Sequence, residues 1–281
     1  METEYVDLIF CGNPGVGKST LLTSVSEIQF KSGFNWGEGL TNRLDLKESP
    51  ALPGIRFGDT PGLADIAMAE RAAEAITTAL KDGANQGRRT LIFFIVTVEA
   101  GRVKPDDLFT IKQVMGSITF PDGTRPSKND YGVIINKCTF LNRPDFETKG
   151  RMRFVSTFGV RTSAVPFTTG HLYFIPHVEE LVDREDRRHT FHGLNEWIAS
   201  FPGIFIGNAN KIDVSGLEEK LTAAKKAHRA EMEALENKLK NDNQLVLQTL
   251  QDEIERTKRD LEEKLRRAQE KRPHGKQCSI M

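Results

Sequence analysis

Apolar positions along this chain fall into short runs, separated by polar breaks that carry Gly and Pro. Val6–Cys11 reads VDLIFC, a run of strand length closed by Gly12. Residues 19–28 follow with helical spacing. Residues 43–47 and Ile55–Asp59 read as two strands with a turn at Pro53-Gly54, and the Ala-rich stretch 65–81 reads as a helix. Residues 91–98, LIFFIVTV, are β-branched and aromatic throughout and predict the central strand. Beyond them the pattern predicts a helix at 106–115, a buried strand at 132–136, a helix at 146–158, a strand at 171–175 and a closing helix at 190–200. Strands alternating with helices imply an α/β fold, a mostly parallel sheet with helices on both faces. Residues 43–47 are expected as its antiparallel edge strand.

Residues 202–210 hold Pro202, two Gly and two Asn, and read as the boundary of a domain spanning 1–210. The composition then changes. Residues 216–272 are dense in Glu, Lys, Leu and Ala, with neither Gly nor Pro in their interior. Leu217, Leu221, Ala224 and His228 recur at helical spacing. Met232, Leu235, Leu239 and Val246 continue out of phase, and Leu250, Ile254, Leu261, Leu265 and Ala268 shift once more. This predicts one long helix over 211–272, about 80 Å at roughly 1.5 Å per residue, with phase slips near Met232 and Val246. It suits either an amphipathic helix folded back on the first domain or a coiled coil with a partner.

Composition narrows the picture. The 39 basic and 39 acidic residues cancel, so bulk charge predicts no nucleic-acid partner, and attraction to an anionic surface must be local. Cys11, Cys138 and Cys278 are odd in number and far apart, which suggests a reducing compartment and not a disulfide framework. Residues 1–5 are polar and acidic, so no signal peptide is expected. The run 91–98 is too short to span a bilayer.

The chemistry starts where the first strand meets the first helix. Gly12-Asn13-Pro14-Gly15-Val16-Gly17-Lys18-Ser19, followed by Thr20, matches G-x-x-x-x-G-K-[ST] in its required strand–loop–helix setting. Glycines let phosphate oxygens approach bare backbone N–H groups, and the helix N-terminus adds positive dipole. Lys18 supplies a point charge to the β- and γ-phosphates, and Ser19 offers a hydroxyl to Mg²⁺. Asp59-Thr60-Pro61-Gly62 closes a strand expected beside the first. There Asp59 can hold a Mg²⁺-bound water, and the Gly62 N–H can sense a γ-phosphate. Thr41, in the Gly-rich stretch 37–41, is the candidate switch threonine for Mg²⁺ and γ-phosphate, with Ser32 as fallback. The catalytic set expected from these motifs is Lys18, Thr41 and Gly62, and the metal set is Ser19, Thr41 and Asp59.

Asn136-Lys137-Cys138-Thr139 ends the strand at 132–136 and resembles the NKxD base-recognition motif. Asn136 would brace the loop and Lys137 would lie along the base. Thr139 stands where the motif has Asp. A carboxylate accepts from two guanine N–H groups, whereas a threonine accepts one or works through water, so guanine against adenine stays open here. A last base-contacting loop is expected near Pro176 and His177.

GNPGVGKST, the threonine in GEGLTNRL, and DTPGLAD together resemble the septin-like branch of P-loop GTPases, in particular the immunity-associated (GIMAP-type) and chloroplast import-receptor GTPases. The resemblance covers residues 1–210. It implies a G domain that binds GTP or GDP with Mg²⁺. Ras-like GTPases place a water-orienting glutamine just after DxxG. Here that residue is Leu63, which implies slow turnover or completion of the site by a homodimer through the nucleotide face, with Arg43 and Arg56 as charge donors or plain surface arginines. The tail 273–281 ends Cys278-Ser279-Ile280-Met281, a C-a-a-X pattern expected to take a farnesyl group on Cys278. Arg266, Arg267, Lys271, Arg272 and Lys276 supply a basic second signal for an anionic leaflet. The expectation is a cytoplasmic GTPase held peripherally at a membrane's cytoplasmic face. A nucleotide-loaded scaffold and an ATP-using P-loop protein are the alternatives.

Overall fold

The computed structural model describes residues 5–26, 28–30, 44–63, 69–99, 102–126, 130–162, 168–178 and 189–270. The chain divides into two compact units between Lys225 and Lys226. The first unit is built on a sheet whose strands are β1 (Val6–Cys11), β2 (Asp45–Glu48), β3 (Ile55–Asp59), β4 (Arg89–Glu99), β7 (Tyr131–Cys138) and β8 (Leu172–Pro176), in the order β2-β3-β1-β4-β7-β8. Every neighbouring pair is parallel except β2 with β3; the antiparallel edge strand expected at 43–47 runs from Asp45 to Glu48. Two-residue strands β5 (Arg102–Val103) and β9 (Ile204–Phe205) pair with β4. β6 (Ile118–Thr119) pairs with β10 (Asn208–Ala209) away from this sheet.

Alternation along the strands sends side chains into two cores. Ile9, Cys11, Ile92, Phe94, Val96, Val133 and Ile135 face one. It is covered by helices α2 (Ala69–Asn85), α3 (Pro105–Ser117) and α4 (Arg151–Thr162) through Ala73, Ile76, Ile111, Val114 and Phe158. Leu8, Phe10, Phe93, Ile95 and Ile134 face the other, covered by α1 (Lys18–Ser26) and α5 (Leu194–Ala199) through Leu21, Leu22 and Ile198. A period of two in the strands against a wider apolar face on each helix is the doubly wound α/β arrangement.

Two expectations change in detail. Residues 146–158 do not form one regular helix: a π-turn, Phe146–Gly150, precedes α4. Its wider coil lets the Phe146 ring fold over Gly150, where a Cβ would stand 2.6 Å from Phe146 Cδ2. Residues 202–210, read as a boundary, carry β9 and β10 and bury Ile204, Ile206 and Ala209. The Pro and Gly there serve a chain reversal: β9 runs antiparallel to the start of β4, and Arg89 Nη1 donates to Pro202 O at 2.8 Å.

The last helix, α6 (Leu217–Glu270), is continuous for 54 residues and passes unbroken through both phase slips. Leu217 and Leu221 are buried against Ala69, with Phe109 and Val214 beside them. Farther along, Leu247, Leu250, Ile254 and Leu261 are exposed. None of the described helices is long and apolar enough to cross a membrane.

At the end of the sheet where β1 begins, Asp7 anchors a buried ion network. Its Oδ1 accepts from Arg88 Nε at 2.6 Å and Arg56 Nε at 2.8 Å, and its Oδ2 from Arg56 Nη2 at 2.7 Å. Arg56 also reaches Asp82 at 3.1 Å. Arg56 is therefore neither a free surface arginine nor a charge donor to a second molecule; Arg43 lies outside the described residues. Asp7→Ala would leave two guanidinium groups facing an apolar side chain. It should lower the unfolding free energy by about 3–5 kcal/mol, read by chemical denaturation, with Asp7→Asn costing less.

Candidate functional site

β1 lies between β3 and β4, and the loops leaving all three strands open on the same edge of the sheet. The chain after Cys11 curls there into a loop that enters α1. Gly15 and Gly17 take φ of +79° and +95°, a region open to glycine. At Gly17 the space is also taken: a Cβ would stand 2.6 Å from Asn136 Nδ2. That amide reaches in from the end of β7, donating to Val16 O at 2.8 Å, while Asn136 Oδ1 accepts the Lys137 N–H at 2.8 Å. Lys137 is the one described non-glycine residue with positive φ, +58°. This turn carries its stem back over the loop, and Nζ donates to Gly15 O at 2.8 Å. Burial pushes the Lys137 ammonium below its usual range, and Lys104 nearby adds to the effect.

Lys18 opens α1 with its side chain buried, 7% exposed. Nζ donates to Asn13 O at 3.1 Å, closing the loop on itself. Burial drives its pKa down, while Asp59, Cys11 and Asp107 pull the other way. Ser19 Oγ donates to Asp59 Oδ2 at 2.6 Å, so the two hard oxygen groups expected to share a metal are already in contact across 40 residues of chain. Gly62 packs on the loop from the other side. A Cβ there would stand 2.3 Å from Pro14 Cδ and 2.8 Å from Pro14 N. Thr60 Oγ1 donates to Phe10 O at 2.9 Å and pins the segment between.

The structure thus gathers Gly12, Asn13, Pro14, Gly15, Val16, Gly17, Lys18, Ser19, Asp59, Gly62, Asn136 and Lys137 about one loop. Thr20 sits half-buried in α1, its carbonyl accepting from Ser24 Oγ at 3.0 Å. Thr139 is exposed just past β7. His177 N donates to Cys138 O at 3.0 Å, which brings the loop after β8 beside the one after β7. Leu63 is fully buried in the apolar core. Thr41, its fallback Ser32, and Cys278 lie outside the described residues. Cys11 and Cys138 are buried thiols whose pKa burial pushes up to about 12, in keeping with small apolar side chains. Among the described residues, no three His, Cys, Asp or Glu side chains gather as a metal cage.

One component escaped the sequence reading. Asn13 Nδ2 donates to Asp107 Oδ1 at 2.7 Å, and Asn13 Oδ1 accepts from Thr110 Oγ1 at 3.0 Å. Both partners stand on α3. Two aspartates opening a helix read as complements to its dipole, and nothing local marks Asp107 as buried. Burial pushes its carboxyl up to about 6, opposed by the hydrogen bonds from Thr97 and Asn13.

No family model matches this sequence, and no curated protein does. Solved structures do. Toc33 from Arabidopsis thaliana in complex with GDP and Mg²⁺ is 17% identical, with 75% of this chain and 88% of that chain covered and a TM-score of 0.47. An Aquifex aeolicus Era variant bound to GDP·AlF4⁻ is 22% identical, with 62% and 52% covered and a TM-score of 0.37. NFeoB from S. thermophilus bound to GDP·AlF4⁻ and K⁺ is 16% identical, with 58% and 54% covered and a TM-score of 0.35. This chain spans between 43% and 65% of the NFeoB chains it matches. Sheet order and loop geometry carry the fold; likenesses with such TM-scores do not.

Two expected outcomes follow from this geometry. Gly62→Ala forces the Pro14 ring and backbone to move and should cost about 1–3 kcal/mol in chemical denaturation. Gly116→Ala in α3, where a Cβ meets nothing within 4 Å, should be neutral or slightly stabilising. Asp107 adds a pH dependence. Its folded pKa, about 6, lies above the ordinary aspartate value of 3.8, so folding takes up a proton between them. Its share of stability is present below pH 4 and is lost as pH rises through 6, on the order of 2–3 kcal/mol. Unfolding free energies of wild type and Asp107→Asn at pH 4.5 and 7 should differ by that slope; parallel profiles would refute the assignment.

Proposed function

We propose that this chain binds GTP and GDP with Mg²⁺ and hydrolyses GTP slowly. The observation that carries the reading is Lys18: a buried ammonium held at a loop carbonyl, beside a hydroxyl–carboxylate pair 2.6 Å apart. A desolvated cation this close to bare backbone is stabilised when a polyphosphate supplies the counter-charge. Ser19 and Asp59 suit Mg²⁺, which takes hard oxygens and keeps waters and phosphate oxygens for its other positions. When bound, the ion would neutralise charge developing on the β- and γ-phosphate oxygens.

In this reading Lys18 exchanges Asn13 O for the β- and γ-phosphates. The Gly62 N–H, held against Pro14, stands where a terminal phosphate is sensed, and Thr41 serves as the switch threonine. Asn136 keeps the loop curved from below, and Lys137 lays its stem beneath the base. Thr139 contributes a hydroxyl in place of a carboxylate, and the loop at His177 lines the far side of the base site. With Leu63 committed to the core, no side chain directly after Gly62 orients an attacking water, so turnover by the lone chain is slow. The same burial favours a second reading, a nucleotide-loaded scaffold in which hydrolysis is incidental.

Titration with fluorescent Mg²⁺–GTP should give micromolar or tighter binding, weakened at least about 100-fold by Lys18→Ala. Retained affinity in that variant would exclude the site. ATP should compete poorly against labelled GTP; equal competition would overturn the guanine assignment. Single-turnover hydrolysis should be slow and rise with protein concentration, whereas a flat rate near zero selects the scaffold.

A further inference from the structure

The loop is gripped by an element that no phosphate-binding motif includes. Asn13 is held on both polar side-chain atoms by α3, at Asp107 and Thr110. Its own carbonyl is the acceptor for Lys18 Nζ and, at 3.5 Å, for the Val16 N–H. Asp107 is fixed in turn, because its second oxygen accepts the Thr97 N–H of β4 at 3.2 Å. Asp107 and Thr110 are 2% and 1% exposed, so these bonds form away from bulk water, where a missing partner is costly. The charged groups facing Asp107 are Lys104 and Asp106 on its own turn and Lys18 from the loop.

The chain of contacts therefore runs from the central strand through Asp107 to Asn13, and from Asn13 to the ammonium and to the bend at Val16. We propose that Asp107 is a positioning residue for the nucleotide loop: acting through Asn13, it holds the loop curved before any ligand arrives. Without this hold the loop must be ordered by the nucleotide itself, at the expense of affinity. Asp107 touches no nucleotide in this scheme. The inference rests on the guanine-nucleotide reading and deepens it.

A double-mutant cycle on Mg²⁺–GDP affinity tests it, with melting temperature recorded for every variant. Asp107→Ala and Asn13→Ala should each weaken binding about tenfold, and the double variant should bind no more weakly than either single. A double variant weakened by the product of the two effects, or Asp107→Ala at wild-type affinity, would overturn the proposal. Asp107→Asn carries the test if alanine prevents folding. It keeps an acceptor for Asn13 and loses the acceptor for the Thr97 N–H, so affinity should stay within about threefold of wild type whichever way the melting temperature moves. Affinity falling in step with stability across all variants would show a merely structural role. Failure of the underlying reading looks different: wild type itself would not bind Mg²⁺–GDP, or Lys18→Ala would bind as well as wild type.

Discussion

Everything at this edge of the sheet depends on keeping one stretch of backbone tightly curved. The segment from Gly12 to Gly17 has little side chain of its own to pack, so its shape is imposed from outside. Asn136 pushes from β7, Gly62 closes from the end of β3, and α3 holds Asn13. Each brace comes from a different part of the chain, and the parallel order β3-β1-β4-β7 brings them together. Placing β1 centrally puts the mouth of its loop between neighbours on both sides, the position where open α/β sheets bind ligands.

The two ends of the same strands treat buried charge in opposite ways. Where β1 begins, Asp7 is enclosed by two arginines, and every charge has an ionic partner within 3.1 Å. That end is a fastener. Where β1 leads into α1, Lys18 is equally buried yet rests on a carbonyl, with its nearest carboxylate committed to Ser19. In the proposed reading, a bound anion would complete the charge balance at this second end.

Much of this was legible in the amino-acid order, and what escaped was long-range. β1 and β3 were readable to the residue because their apolar runs stop at glycine or aspartate. The braces of the loop were foreshadowed by Asn136 and Gly62, since both belong to motifs with fixed spacing. Asp107 was not, because its partner lies 94 positions away and an acid at a helix start has an ordinary local explanation. The π-turn at Phe146 was hidden for a similar reason: Phe146 packs tilted against Phe140 and edge-on to Phe174, contacts that periodicity does not encode. Residues 202–210 misled because Pro and Gly punctuate a reversal inside a domain as readily as a break between domains.

The seating of Gly62 on Pro14 ties two distant positions into one steric unit. Any methyl gained at the first has to be met by a retreat at the second, whose pyrrolidine ring cannot bend aside as a flexible side chain would. Among divergent descendants of this gene, the two sites should therefore change as a pair, with a bulkier residue after the aspartate strand appearing only alongside a slimmer one in the loop.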